Sequence, residues 1–316
     1  MSHSHASHTN ASTQDPPLPV FASNLRESGL IHRLLQLAHD EDLGSNGHDW
    51  TGELMFTKDQ TTTAQLALRE PGIIAGLAFV PDILETFVRD GESIDWSPQI
   101  TDGSNCQPGT ILGTLSGSSI ALVRLERTLL NLISRMSGIA SHTNHFVKLA
   151  AGTNAQICDT RKTTPGLRVF EKYAARCGGC VSHRMGLFDA LLIKDNHLAG
   201  LDKAAFKDRI NNASEHARQE GLHFVEVEVD TLEQLGWLLD LDPAAVDFAL
   251  LDNMPVGTLA QAVAMRDTQN PQLLLEASGG INKSTLPAIA KTGVDRISIG
   301  GLTHQAVSLD IGLDTK

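Results

Sequence analysis

The chain has 316 residues, a formal net charge of −12 at neutral pH and 41% apolar residues. That length admits two domains, or one barrel with an appendage. The acidic balance argues against a general nucleic-acid binder, whose affinity comes from lysine and arginine on phosphate. It leaves room for a local cationic pocket that takes a small anion. No run approaches the ~18 apolar residues of a membrane span. Four cysteines do not make a disulfide framework in this length, which points to a reducing cytoplasm.

Residues 1–19 are polar, rich in histidine, serine and threonine, and end in prolines. They lack both the apolar core of a signal peptide and the arginines of a transit peptide. A disordered leader is expected; His3, His5 and His8 as a metal site are the alternative reading. Folding is expected to begin near Val20, with a helix over 24–39 built on Ile31, Leu34, Leu35 and Ala38. A half-buried strand follows at Ala64–Leu68, then a helix over 81–90 and short strands within 98–116. A strong helix spans about 120–136, with Arg124, Arg127, Asn131 and Arg135 on a polar face. That stripe reads first as solvated surface, and second as a face from which an arginine reaches a site.

From 155 onward the pattern becomes regular. Strand-type runs recur at 155–158, 190–193, 224–229, 248–251, 273–275 and 296–299, with helical segments between most of them. Alternating β and α at this spacing predicts parallel strands with crossover helices. The runs read as apolar on both faces, as in strands covered on both sides. Thr231 and Gln234 are placed for a capping box. Thr164-Pro165 reads as the cap and first position of a helix ending at Gly178-Gly179.

Nearly every run ends in polar or glycine residues: Asp159-Thr160-Arg161-Lys162, Lys194-Asp195-Asn196-His197, Glu228, Asp252-Asn253, Glu276-Ala277-Ser278-Gly279-Gly280 and Ser298-Ile299-Gly300-Gly301. In a βα barrel such ends converge on one mouth, where the chemistry is done. The two glycine pairs follow the final strands, the usual place of a barrel's phosphate loops. Arginine in the first loop suits a carboxylate or phosphate, and lysine a point-charge phosphate contact. Glu228 and Asp252 fit either Mg²⁺ or structural pairing with Lys162 and Lys194. His183-Arg184 adds a further cationic pair. Cys177-Gly178-Gly179-Cys180 has the spacing of a zinc or redox pair, but no second pair accompanies it.

These residues closely resemble the quinolinate phosphoribosyltransferase family. The resemblance is carried by Thr160–Arg168, His183-Arg184, Ile193–His197, Glu226–Val229, Leu250–Asn253, Glu276–Ile281 and Ile299–His304. Glu41–Gly44, Arg69–Gly72, Glu126–Asn131 and Ser137–Ala140 extend it upstream, so that it covers about 24–313. It implies an N-terminal α/β sandwich over 20–135, with 303–316 packing back on it. An incomplete, roughly seven-stranded TIM-like α/β barrel over 136–302 completes the fold. It also implies a homodimer and a reaction that joins quinolinate to phosphoribosyl pyrophosphate with Mg²⁺. The products are nicotinate mononucleotide, pyrophosphate and carbon dioxide.

Residue by residue, the resemblance puts Arg161, His183 and Arg184 on the quinolinate carboxylates, with Arg127 joining from the partner subunit. Lys162 and Lys194 take substrate and pyrophosphate oxygens. Glu228 and Asp252 serve the ribose and Mg²⁺, directly or through water, while Thr160 and Ile299 line the substrate. Ser278, Gly279, Gly280, Gly300 and Gly301 cradle the 5′-phosphate. Two departures from the family pattern concern loop shape: the extra residue in Gly47–Thr51, and Cys180 where glycine is expected.

Overall fold

The structure is a computed structural model that describes residues 15–316. His3, His5 and His8 lie outside the described residues. The described structure already includes residues before the expected Val20. Helix α1 (Leu18–Glu27) is preceded by Asp15 and Pro16, whose carboxylate and carbonyl both engage Arg176. The one helix expected over 24–39 is two, because Gly29 at φ +70° separates α1 from α2 (Leu30–Leu43). That left-handed conformation is open to glycine and costly for other residues. Helix α3 (Trp50–Met55) is capped by Asp49, whose side chain accepts from Gly52 N at 2.9 Å. The unusual Gly47–Thr51 stretch thus supplies a helix start.

Strands β1 (Thr61–Leu68) and β2 (Gly72–Ile73) come next, followed by helix α4 (Val80–Phe87). Strands β3 (Ile94–Pro98), β4 (Asn105–Cys106) and β5 (Ile111–Ser118) complete the N-terminal half. Helix α5 (Ser119–Leu149) has 31 residues and runs well past the expected end at 136. The expected domain division at 135/136 therefore falls inside one continuous helix. Its polar stripe also divides. Arg124 is buried and donates to Glu92 Oε2 at 2.7 Å and Phe87 O at 3.0 Å. Arg135 donates to Glu171 Oε1 at 2.9 Å, Thr303 O at 2.8 Å and Ala306 O at 2.7 Å. Arg127 and Asn131 are the two that face outward.

The second half alternates as expected: β6 (Gln156–Cys158), α6 (Arg168–Cys177), β7 (Leu191–Ile193), α7 (Asp195–Leu198), α8 (Lys203–Gln219), β8 (Val225–Val229) and α9 (Leu232–Leu239). It continues with β9 (Phe248–Asp252), α10 (Val256–Gln269), β10 (Leu274–Ser278), α11 (Leu286–Ala290), β11 (Arg296–Ser298) and α12 (Gly301–His304). Strand β12 (Ile311–Thr315) ends the chain and pairs antiparallel with β1, giving a sheet of order β12-β1-β5-β3. The parallel sheet runs β6-β11-β10-β9-β8-β7. A lone parallel bridge between Cys158 and Val181 adds a residual seventh strand. No ladder joins Val181 to β7 among the described residues, so the barrel is incomplete there.

Side-chain alternation along a strand decides what each face does. On β7 to β11 the odd-numbered residues, among them Ile193, Val227, Ala249, Leu275 and Ile297, enter the apolar core beneath the helices. The even-numbered ones point into the barrel, and here the expectation of apolar strands on both faces fails. Glu226, Glu228, Glu276 and Arg296 occupy the interior, where barrels ordinarily stack branched apolar side chains. Two other expectations are adjusted locally. Helix α6 starts at Arg168 rather than at Thr164-Pro165, and the Thr231–Gln234 capping box forms as read.

Candidate active site

The carboxyl ends of the barrel strands open onto a cavity of about 710 Å³. Thr160, Arg161 and Lys162 enter it from the loop after β6, and His183 and Arg184 from the segment after Val181. Lys194, Glu228 and Asp252 follow from the ends of β7, β8 and β9. Ser278, Gly279 and Gly280 after β10, and Ile299, Gly300 and Gly301 after β11, close the ring. Every residue expected at the site lines this cavity except Arg127, which is exposed on α5. Asn253, Glu276 and Ser298, named at strand ends but given no role, also line it, together with Leu192, Leu250, Ile281, His304 and Gln305.

One wall is cationic. Burial, and then the charge of Arg161, push the Arg184 guanidinium below its usual range. Arg184 is held by Ala190 O at 3.3 Å, and Arg161 Nε is buried with no partner among the described residues. Two crowded guanidiniums without a carboxylate partner favour an incoming anion with paired oxygens. The opposite wall is glycine-rich. Gly279 has φ +87°, and a Cβ there would lie 2.1 Å from Asn253 Oδ1. Asn253 itself has φ 52°, donates its backbone N to Ser278 O at 2.9 Å, and reaches Asp252 Oδ2 at 2.6 Å. The β9 and β10 loops are thereby locked to each other. Lys194 donates to Glu228 Oε2 at 2.8 Å across the mouth.

At the floor lies a charged cluster of which the sequence singles out His183 and the strand-end Glu276, but not their joint arrangement with Glu226 and Arg296. His183 Nε2 stands 3.0 Å from Glu226 Oε2 and 3.7 Å from Glu276 Oε1. The Arg296 guanidinium pairs with both carboxylates and stacks 3.8 Å over the Phe248 ring. Burial raises the Glu226 carboxyl, but His183 and Arg296 together hold it below the usual range. Glu276 moves the other way: burial and the charge of Glu226 outweigh Arg296. His183 Nδ1 accepts from Arg184 N at 2.8 Å, which fixes the ring from its other side. The backbone N of His183 donates to Asp159 Oδ1 at 2.8 Å, and Asp159 is paired with the buried Lys172. The alternation of glutamate and valine in Val225–Val229 was the available signal for this cluster.

The Arg161–Lys162 loop is tethered in the same way. Glu171, 1% exposed, accepts from Thr164 N and Thr164 Oγ1, each at 2.9 Å. Arg168 donates to Thr163 Oγ1 at 3.0 Å. Cys177 and Cys180 are free, buried thiols, and burial first of all pushes both well above the ordinary thiol range. Thiolate chemistry is therefore disfavoured at this pair.

No helix among the described residues is long and apolar enough to cross a membrane. Residues 139–314 match the quinolinate phosphoribosyl transferase C-terminal domain, and residues 49–137 its N-terminal domain. The chain is 42% identical over 281 residues to the nicotinate-nucleotide pyrophosphorylase [carboxylating] of Mycobacterium leprae, covering 89% of this chain and 95% of that one. It is 39% identical to the probable enzyme of that name from Bacillus subtilis, covering 90% and 93%. Among solved structures it resembles the nicotinate-nucleotide pyrophosphorylase of Francisella tularensis, with TM-score 0.80, 31% identity, and coverage of 98% and 100%. Both domains, in order and at this identity, place the chain in the quinolinate phosphoribosyl transferase family.

Proposed function

We propose that this protein transfers the phosphoribosyl group of phosphoribosyl pyrophosphate to the ring nitrogen of quinolinate. Loss of the 2-carboxylate then gives nicotinate mononucleotide, pyrophosphate and carbon dioxide, a step of de novo NAD synthesis in the cytoplasm. The observation that carries this reading is one cavity with two carboxylate-seeking arginines on one wall and glycine loops on the other. Arg161 and Arg184 hold the two adjacent carboxylates of quinolinate, and His183, whose ring nitrogens are taken by Glu226 and by the Arg184 N–H, positions Arg184 instead of meeting the substrate itself. Ser278, Gly279, Gly280, Gly300 and Gly301 receive the 5′-phosphate. Lys162 and Lys194 take the oxygens of the departing pyrophosphate.

Breaking the bond from ribose C1 to pyrophosphate builds positive charge on the sugar and negative charge on the leaving group. The lysines stabilise the second, and the Glu228 and Asp252 carboxylates the first. Those two carboxylates also suit Mg²⁺, since both offer oxygen donors to the cavity; Asp252 pairs with no lysine among the described residues, while Lys194 shares Glu228. Bound there, the ion supplies charge neutralisation of the pyrophosphate. Arg127, exposed and outside its own cavity, is assigned to the partner's site in a homodimer.

Decarboxylation follows nitrogen attack, because the adjacent pyridinium charge stabilises the electron pair left on C2 as carbon dioxide departs, and a proton from water then completes the C2–H bond. Single-turnover rapid quench is expected to show ribosyl transfer no later than carbon dioxide release. Carbon dioxide appearing first contradicts this order. The reading as a whole is tested by quinolinate-dependent formation of nicotinate mononucleotide.

A further inference from the structure

Lys162 differs from the other mouth lysine in how it is held. Lys194 is aimed by an ion pair with Glu228. Lys162 is exposed, and no carboxylate pairs with it among the described residues. Its constraints come from its own loop and from the segment after β11 that includes α12. Thr303, 3% exposed, donates its hydroxyl to Lys162 O at 2.7 Å. Thr303 is held in turn by Arg135, which donates to its carbonyl at 2.8 Å. The Lys162 backbone N donates to Thr160 Oγ1 at 3.0 Å.

The side chain is guided by an absence of atoms. Gly300 has φ −65° and ψ −30°, which any residue adopts, so its backbone does not require glycine. A Cβ on Gly300 would lie 2.5 Å from Lys162 Cδ and 3.5 Å from both Cγ and Cε. The space a side chain would take at Gly300 is filled by the lysine stem. We propose that Gly300 and Thr303 are positioning residues for Lys162, so that the loop assigned to the 5′-phosphate also aims the lysine at the pyrophosphate. This rests on the reading above, and it changes the part Gly300 plays within it: its bareness serves the lysine, not only the close approach of a phosphate.

Because the clash falls on a flexible stem and the backbone accepts alanine, Gly300→Ala should leave folding intact while moving the lysine. A displacement of about 1 Å in a reacting assembly costs up to roughly 100-fold in rate. The test is a double-mutant cycle of Gly300→Ala with Lys162→Ala, read by the turnover number and, by calorimetry, by binding of inorganic pyrophosphate with Mg²⁺. Gly300→Ala is expected to keep the wild-type melting temperature and to lower both readouts about tenfold or more. In the Lys162→Ala background it is expected to change neither further. Equal fold-changes in both backgrounds overturn the proposal and return Gly300 to phosphate approach alone. Thr303→Val is expected to share this dependence on Lys162, with Thr303→Ser restoring both readouts; failure of the serine to restore them counts against the hydroxyl. The pyrophosphate arm does not depend on the acceptor. A wild type that binds pyrophosphate but makes no product from quinolinate would overturn the assigned reaction while leaving the lysine cycle decisive.

Discussion

Replacing Arg296 by methionine is expected to destabilise the fold by about 3–5 kcal/mol near neutral pH, because it strands two buried carboxylates without their cation. Glu226 and Glu276 are both fully buried, and Arg296 is the only guanidinium paired with them among the described residues. Burial alone raises a carboxyl's pKa, and in the native cluster Arg296 and His183 oppose that rise at Glu226. Without Arg296 both carboxyls are raised in the folded state. A carboxyl raised on folding stabilises the fold below its unfolded pKa, and that stability is lost as pH rises through the folded value. The deficit is therefore largest near pH 7 and shrinks as pH falls toward about 4.5, the range in which an unfolded glutamate takes up its proton. Urea unfolding of wild type and variant at about pH 7.5 and about pH 5 checks this; the same deficit at both values contradicts it.

The second large effect is on ligand recognition. Arg184→Ala is expected to weaken quinolinate binding by about 100-fold or more while leaving phosphoribosyl pyrophosphate binding nearly unchanged. Arg184 is buried and crowded by Arg161; the weaker pull of Glu226 and Asp189 offsets only part of its charge, and an arriving dianion takes up the rest. Arg184→Lys recovers only part of the loss, since an ammonium cannot form the planar two-pronged contact. Calorimetric titration with each substrate separates the two effects, and equal weakening of both ligands contradicts the role given to Arg184.

Much of this site was legible because it stands where strands end. A polar burst after an apolar run marks a strand-to-helix loop, and six such ends in succession pointed to one mouth. The residues Thr160 to Lys162, Lys194, Glu228, Asp252 and the two glycine pairs all reach it. What failed to show in the sequence was side-chain direction within short strands. Val225–Val229 has five buried residues; its strand-end place puts Glu228 at the mouth, but the same reading gives no interior role to Glu226 two residues earlier. Arg296 was hidden for the same reason, as its partners are 20 and 70 residues away in the chain.

The helix readings failed differently. Periodicity located α1 and α2 but did not weigh the left-handed Gly29 against the apolar spacing that runs across it. On α5, spacing put four polar residues on one face, yet their long side chains take different partners. Arg124 turns to Glu92 and Arg135 to Glu171, while Arg127 stays outside. Gly300 looked like a phosphate glycine by position alone. Only the folded chain brings the Lys162 stem over it.

The most direct test of the account is a coupled assay of purified protein with quinolinate, phosphoribosyl pyrophosphate and Mg²⁺, following nicotinate mononucleotide. The account predicts product that requires quinolinate, is accompanied by stoichiometric carbon dioxide, and is not formed when nicotinate replaces it. Product from nicotinate, or none from quinolinate while phosphoribosyl pyrophosphate still binds, would contradict the assignment of the arginine wall to a dicarboxylate.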